Sequence, residues 1–174
     1  MTTRRNKAHR VAPNRLKRVF EADRPNEVWL TDITYIGTEP AWLYLAVVLD
    51  LYSRRVVGWA MSDRMTSELT VRALRMALEQ REVKPGMIHH SDQGSQYTDN
   101  NYQQLLKDWG ILTSMNGVGA WFDNAPTESF FATLKTEHVY HQTYRSRAEA
   151  RADVFSYIEG FYNRRRIHTS LDSV

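Results

Sequence analysis

The stretch EVWLTDITYIGTEPAWLYLAVVLDLYSRRVVGWAM, residues 27–61, decides the fold. Glu27 to Ile36 reads as a strand rich in β-branched and aromatic residues, and Gly37-Thr38-Glu39-Pro40 reads as the turn that closes it. Trp42 to Leu51 is a nearly continuous apolar run, the pattern of a strand buried on both faces. Val56 to Met61 supplies a third strand after a turn at Ser53-Arg54. Connections this short suit an antiparallel meander.

Downstream the period changes. From Ser67 to Glu82 the residues Leu69, Ala73, Leu74, Ala77 and Leu78 recur at helical spacing, and Pro85-Gly86 ends the helix. Met87 to Ser91 reads as a fourth strand, Asn100 to Trp109 as a helix closed by Gly110, and Ile111 to Met115 as a fifth strand. A glycine-containing loop, Asn116 to Trp121, leads to a helix with Asp123 or Asn124 suited to its N-cap and Pro126 in its first turn. A last helix is expected over about Arg147 to Asn163. The predicted class is α/β: a five-stranded mixed sheet, three antiparallel strands then two parallel, flanked by helices. That is the element order of the ribonuclease H-like fold.

The chain has 174 residues and 42% hydrophobic content, one domain's worth with a sizeable core. With no cysteine it has no disulfide framework, thiolate zinc site or cysteine nucleophile. No run of eighteen apolar residues and no signal peptide is found, so a soluble cytoplasmic location is expected, with no membrane partner. The net charge of +3 is unevenly placed: Arg4, Arg5, Lys7, Arg10, Arg15, Lys17 and Arg18 give residues 1–20 a local +7 with no acid, leaving the remainder at −4. Residues 1–22 are therefore expected to form a basic arm or linker and residues 23–174 the core domain. Such an arm gains affinity for nucleic acid through counterion release, although its first ten residues read equally as a solvated leader.

Three carboxylates stand out. Asp32 interrupts the apolar run Trp29-Leu30-Thr31-Asp32-Ile33-Thr34-Tyr35, Asp92 follows Met87-Ile88-His89-His90-Ser91, and Glu128 opens a helix. A buried strand carboxylate is costly unless paired or bound to metal, and converging carboxylates raise one another's pKa unless a cation neutralises them. Lys135 lies two helical turns beyond Glu128, on the face that also carries Ala132, and reads as a cation for a DNA phosphate or as a plain solvated lysine. His89 and His90, adjacent in a strand, face opposite sides and cannot chelate together; one is expected packed inward and the other near the rim of the acids. Trp42, Tyr52, Trp59 and the aromatic residues of the last helix are expected in the core rather than as base-stacking platforms.

The segments W-L-T-D-I-T-Y around Asp32, H-H-S-D-Q-G-S-Q-Y around Asp92 and D-N-A-P-T-E-S-F-F-A-T-L-K-T-E around Glu128 resemble the integrase-type (DDE) catalytic core of insertion-sequence-three-family transposases, which is similar to retroviral integrase cores. The resemblance runs from about Val11 to the end of the chain. It implies that Asp32, Asp92 and Glu128 are catalytic and hold two Mg²⁺ ions, with Mn²⁺ able to substitute. It further implies that DNA, as transposon ends and target, is the partner, contacted by Lys135, Gln93, Asn124, Arg164, Arg165 and Arg166, and that the active complex is a homo-oligomer. Capping alone would also explain Asn124, and a solvated run would explain the three arginines. An upstream-frame helix-turn-helix partner segment, expected by the resemblance, is absent from this sequence. A basic pair and a cysteine that relatives carry between Ser114 and Asp123 are replaced here by Gly117-Val118 and Trp121-Phe122. The expected function is metal-dependent nicking of DNA ends and strand transfer. The alternatives are a ribonuclease H-like nuclease, recognised by cleavage without joining, and a non-catalytic DNA-binding fragment.

Overall fold

The computed structural model describes residues 11–16, 21–117 and 124–165, the side chain of Arg165 excepted. Arg166, the candidate cap Asp123, most of the basic N-terminal segment and part of the glycine loop lie outside these residues.

The meander forms as its short turns dictate. β1 (Val28–Gly37), β2 (Trp42–Asp50) and β3 (Val56–Ser62) pair antiparallel, with Thr34 opposite Leu45 and Val47 opposite Trp59. β4 (Ile88–Ser91) joins the other edge of β1 in parallel, and β5 (Leu112–Met115) joins β4 in parallel, giving the order β3-β2-β1-β4-β5. A parallel strand needs a crossover, supplied by α1 (Ser67–Gln80) before β4 and by α3 (Asn100–Asp108) before β5.

β2 is apolar up to Asp50 because it is an interior strand covered on both faces. Its residues Leu43, Leu45, Val47 and Leu49, with Ile36 of β1, pack against α4 (Ala125–Glu137) and α5 (Arg147–Tyr157) through Phe130, Phe131, Leu134, Val154 and Tyr157. The opposite face sets Trp29, Ala46 and Val48 against Leu69, Ala73, Leu74 and Ala77 of α1 and Tyr102 and Leu106 of α3. Each of the larger side chains contributes about 1.5–3 kcal/mol on burial. By the alternation of β1, Asp32 shares its face with Leu30, Thr34 and Ile36 and so points toward the α4 side.

Three elements depart from the expected pattern. Ser95–Thr98 forms a short helical turn, α2, whose four residues are too few to display a period. The last helix does not run unbroken to Asn163: α5 ends at Tyr157 and the chain continues as a π-helical turn, Ile158–Tyr162, then a closing turn, Asn163–Arg165. The Asn163 amide there donates to Val56 O at 2.9 Å and accepts from Val56 N at 3.0 Å, so the helix end is clamped to the start of β3. Residues 11–16 lie against β5: Met115 N donates to Pro13 O, Arg15 N to Ser114 Oγ and Arg15 Nε to Thr113 O, while Leu16 is buried with Val28, Leu30 and Leu51. No described helix is long and apolar enough to cross a membrane.

Candidate active site

The parallel register of β1 and β4 brings two acids together. Leu30 pairs with His90, so Asp32 and Asp92, each two residues further on, leave the paired ladder side by side. Glu128 lies in the first turn of α4, on the sheet face toward which Asp32 points. What holds that turn in place is Asn124, whose Nδ2 donates to Thr31 O at 2.9 Å, one residue before Asp32.

The surroundings of Asp32 differ sharply from those of the other acid in a described strand. Asp50, fully buried at the end of β2, accepts from Asn26 N at 2.8 Å, Ser53 N at 2.9 Å and Ser53 Oγ at 2.7 Å. Those donors make it a structural cap of the β2–β3 turn. Among the described residues Asp32 accepts only from the neighbouring Ile33 N at 2.8 Å, which compensates a strand carboxylate poorly. Its pKa is pushed up to about 7, first by burial, then by the charge of Asp92 and, more weakly, of Glu128. Asp92, although part of its surface faces solvent, is also raised by burial, against one hydrogen bond from Gly94 N at 2.7 Å. Glu128 is exposed and raised in the same direction.

These acids are short of positive charge and of donors, and the nearby orphaned atoms are also acceptors. Gln93 Oε1 and Asn124 Oδ1 are buried without a hydrogen-bond partner among the described residues. Two carboxylates side by side, a third on the facing helix and spare amide oxygens form an all-oxygen donor set, the kind that hard divalent cations take. The third acid nevertheless stands apart: among the described residues no three metal-ligating side chains converge into a closed cluster.

The remaining candidates divide. Lys135 is half-buried, with Nζ 5.0 Å from the centroid of the Tyr35 ring and its pKa lowered by burial. Gln93 lies in the loop after Asp92 and donates through Nε2 to Asn116 O at 2.7 Å. Arg164 is exposed near Asn163, which is tied to Val56 at the start of β3, the edge strand that β2 separates from the β1 of Asp32. The structure therefore does not bring it to the acids. Arg165's side chain and Arg166 lie outside the described residues.

Three expectations are corrected. Neither histidine sits at a rim: both are fully buried, His89 Nε2 with Tyr102 Oη at 2.5 Å and His90 between Ser114 Oγ at 2.7 Å and Asn116 Oδ1. Opposite faces of a central strand are both interior, so alternation could not expose either one. Asn124 occupies the N-cap position but makes no cap bond, its amide being committed across to β1. Trp42, Phe155 and Phe161 are exposed at 52%, 52% and 41%, not in the core, because Trp42 begins β2 at the sheet's end and the other two face outward from the last helix. Asn116, which joins His90 to Gln93, is not singled out by the sequence; its only signal is a polar residue immediately after a strand.

The integrase core domain family matches residues 22–120, and a second integrase core domain family matches residues 128–173. The chain is 46% identical over 173 residues to the uncharacterized 31 kDa protein of insertion element IS600 from Shigella sonnei, covering 99% of this chain and 64% of that one. It is 46% identical to the transposase for insertion sequence element IS904 from Lactococcus lactis, covering 92% of this chain and 63% of that protein. With the transposase InsF for insertion sequence IS3A from Escherichia coli it shares 48% identity, over 91% of this chain and 55% of the relative. The chain thus spans about 55–64% of the length of these relatives. Among solved structures, a chain of a simian T-cell lymphotropic virus intasome superposes with a TM-score of 0.60 at 21% identity, covering 76% of this chain and 45% of that one. The catalytic core domain of HTLV-2 integrase, in complex with magnesium, superposes at 0.54 and 19% identity, covering 67% and 72%. These two likenesses show a shared fold, the ribonuclease H-like sheet.

Proposed function

Because this chain belongs to the integrase core family, we propose that it is the catalytic core of a DDE transposase that nicks the ends of a mobile DNA element and joins them to a target. The observation that carries this reading is the edge of β1 and β4, where Asp32 and Asp92 emerge together under the first turn of α4 with Asp32 raised to about 7. A carboxylate so placed is fully ionised at neutral pH only beside a cation. Asp32, Asp92 and Glu128 fit as the holders of two Mg²⁺ ions, replaceable by Mn²⁺, which when bound would supply Lewis-acid stabilisation of the reacting phosphate.

The chain's own residues do the rest. The Asn124 tether to Thr31 keeps the start of α4, and with it Glu128, over β1. Gln93, braced on Asn116, shapes the loop that follows Asp92. Lys135, seven residues beyond Glu128, holds a flanking phosphate as a point charge without reading bases. In the first reaction water attacks a phosphorus at the element's end, the P–O3′ bond breaks, and a 3′-hydroxyl and a 5′-phosphate result. In the second that 3′-hydroxyl attacks a target phosphodiester, forming a new bond as the target's own 3′-oxygen leaves. Positioning and electrostatics dominate such phosphoryl transfers, and no covalent link to the protein is needed. A homo-oligomer acting on two ends in the bacterial cytoplasm completes the reading.

The test is incubation of the chain with labelled duplexes carrying the element's terminal sequences, with Mg²⁺ or Mn²⁺. Nicked and joined strands are expected from the wild type. Asp32→Asn and Glu128→Gln should fall by at least about a hundredfold, the size of effect that loss of a reacting group produces. Cleavage of an RNA–DNA hybrid without joined products would assign the chain to the hydrolases of this fold instead.

A further inference from the structure

Two exposed aromatic rings stand beside Lys135, and the core does not need them. Tyr35 and Trp42, on opposite strands of the β1–β2 hairpin, are 56% and 52% exposed, and their rings meet edge-on with centroids 4.8 Å apart. The Trp42 ring leans on Gly37, where an added Cβ would come within 3.3 Å of Cζ3, so the absence of a side chain there gives the indole its seat. Cations frame the pair. Lys135 Nζ lies over the Tyr35 ring, and the Arg147 guanidinium donates through Nε to Trp42 O at 3.0 Å. An exposed aromatic surface of this kind, charged at its border, suits a ligand that is itself planar and anionic.

The platform also lies at a defined distance from the acids. Tyr35 is three residues beyond Asp32 along β1, about 10 Å at strand rise, and its ring reaches Lys135 from the opposite side of the strand. Lys135 is seven residues beyond Glu128 along α4, about 10.5 Å at helical rise. Strand and helix thus run from the acids to the same place, as the Lys135–Tyr35 contact shows. At about 3.4 Å per nucleotide, that separation is about three nucleotides of one DNA strand.

We propose that Tyr35 and Trp42 form a stacking platform for an unpaired nucleobase about three nucleotides from the phosphate held at the carboxylates, with Lys135 on the intervening backbone. The proposal rests on the DNA-end reading given above and adds to it a site for a base. Stacking on an aromatic face tolerates any base, so the platform holds a frayed strand end without reading its sequence.

The experiment is a binding cycle that needs no turnover. A fluorescein-labelled duplex of arbitrary sequence with a single-stranded tail is titrated with the chain, alongside tails bearing one abasic position moved a nucleotide at a time. Trp42→Ala should weaken binding to the intact tail on the order of tenfold, the size of effect that removing one base–aromatic stack produces. One abasic position should weaken the wild type equally, and the two changes together should cost no more than either alone. Trp42→Phe should restore most of the affinity, whereas Trp109→Ala, at the exposed end of α3, should do nothing. Additive losses, an abasic effect at no position, or no effect of Trp42→Ala would overturn the platform. Nicking retained alongside such a result would leave the transposase reading standing, and a positive cycle without nicking would do the converse.

Discussion

At the scale of single residues the raised Asp32 carboxyl makes a prediction with a definite sign. Below about 3.8, its ordinary value, the group is protonated in both folded and unfolded chains. Between there and about 7 the folded form keeps a proton that the unfolded form has released, so rising pH favours unfolding until the folded carboxyl ionises. In EDTA, Asp32→Asn should therefore melt at a higher temperature than the wild type at pH 8, and the difference should shrink toward pH 4. Added Mg²⁺ at pH 8 should stabilise the wild type more than the variant. His89, pushed down to about 3 by burial, slopes the opposite way as pH falls from about 6.5, which is why the difference between variants is the quantity to measure. Asn124→Ala should cost about 1–3 kcal/mol in urea unfolding, since Thr31 O is deprived of a buried donor. Asp32 is legible from its sequence because an acid in an apolar strand has few explanations. The role of Asn124 is not, because a bond across 93 positions leaves no local trace and an N-cap residue already has a local one.

At the scale of elements, the meander and α1 are readable nearly to the residue, because period and turn chemistry agree there. Gly110 is readable for a similar reason: it ends α3 at φ +69, where residues with a Cβ are strained. Gly58 is not, since nothing in its neighbours says that a helix backbone lies on it. A Cβ there would stand 2.2 Å from Ala73 O and 2.9 Å from Ala77 Cβ. Gly58→Ala should lower stability by about 3 kcal/mol, near the upper end of overpacking costs, as read from the urea midpoint. Ala77→Gly should fail to rescue it, because the nearer obstacle is a main-chain carbonyl that no side-chain change removes. The π-helical turn is equally hidden, and the Asn163 clamp on β3 that follows it joins residues 107 positions apart.

At the scale of the whole molecule the described part of the basic segment, residues 11–16, belongs to the sheet. Residues 11–16 cover β5, which would otherwise present an open edge to other chains. Charge and docking can be separated by two variants. Replacing Arg4, Arg5, Lys7 and Arg10 with Gln should weaken DNA binding for all sequences alike and reduce the slope of log K against log salt by up to about 0.9 for each phosphate no longer neutralised. Deleting residues 1–16 should in addition lower the melting temperature and promote association, measured by light scattering. An unchanged salt slope in the first variant would remove the segment from the DNA interface.

The overhang of two residues beyond the Leu30–His90 pair has a consequence for how such a scaffold changes over time. The whole of β2, β3 and α1 separates Asp32 from Asp92 along the chain, yet none of it sets their distance in space. Hairpins there can lengthen, and whole modules can be inserted, without parting the two acids. Removing one residue between Leu30 and Asp32 would instead turn the carboxylate to the other face of the sheet. Length is free to drift in the connecting turns of this half of the chain, and is forbidden to drift over two positions.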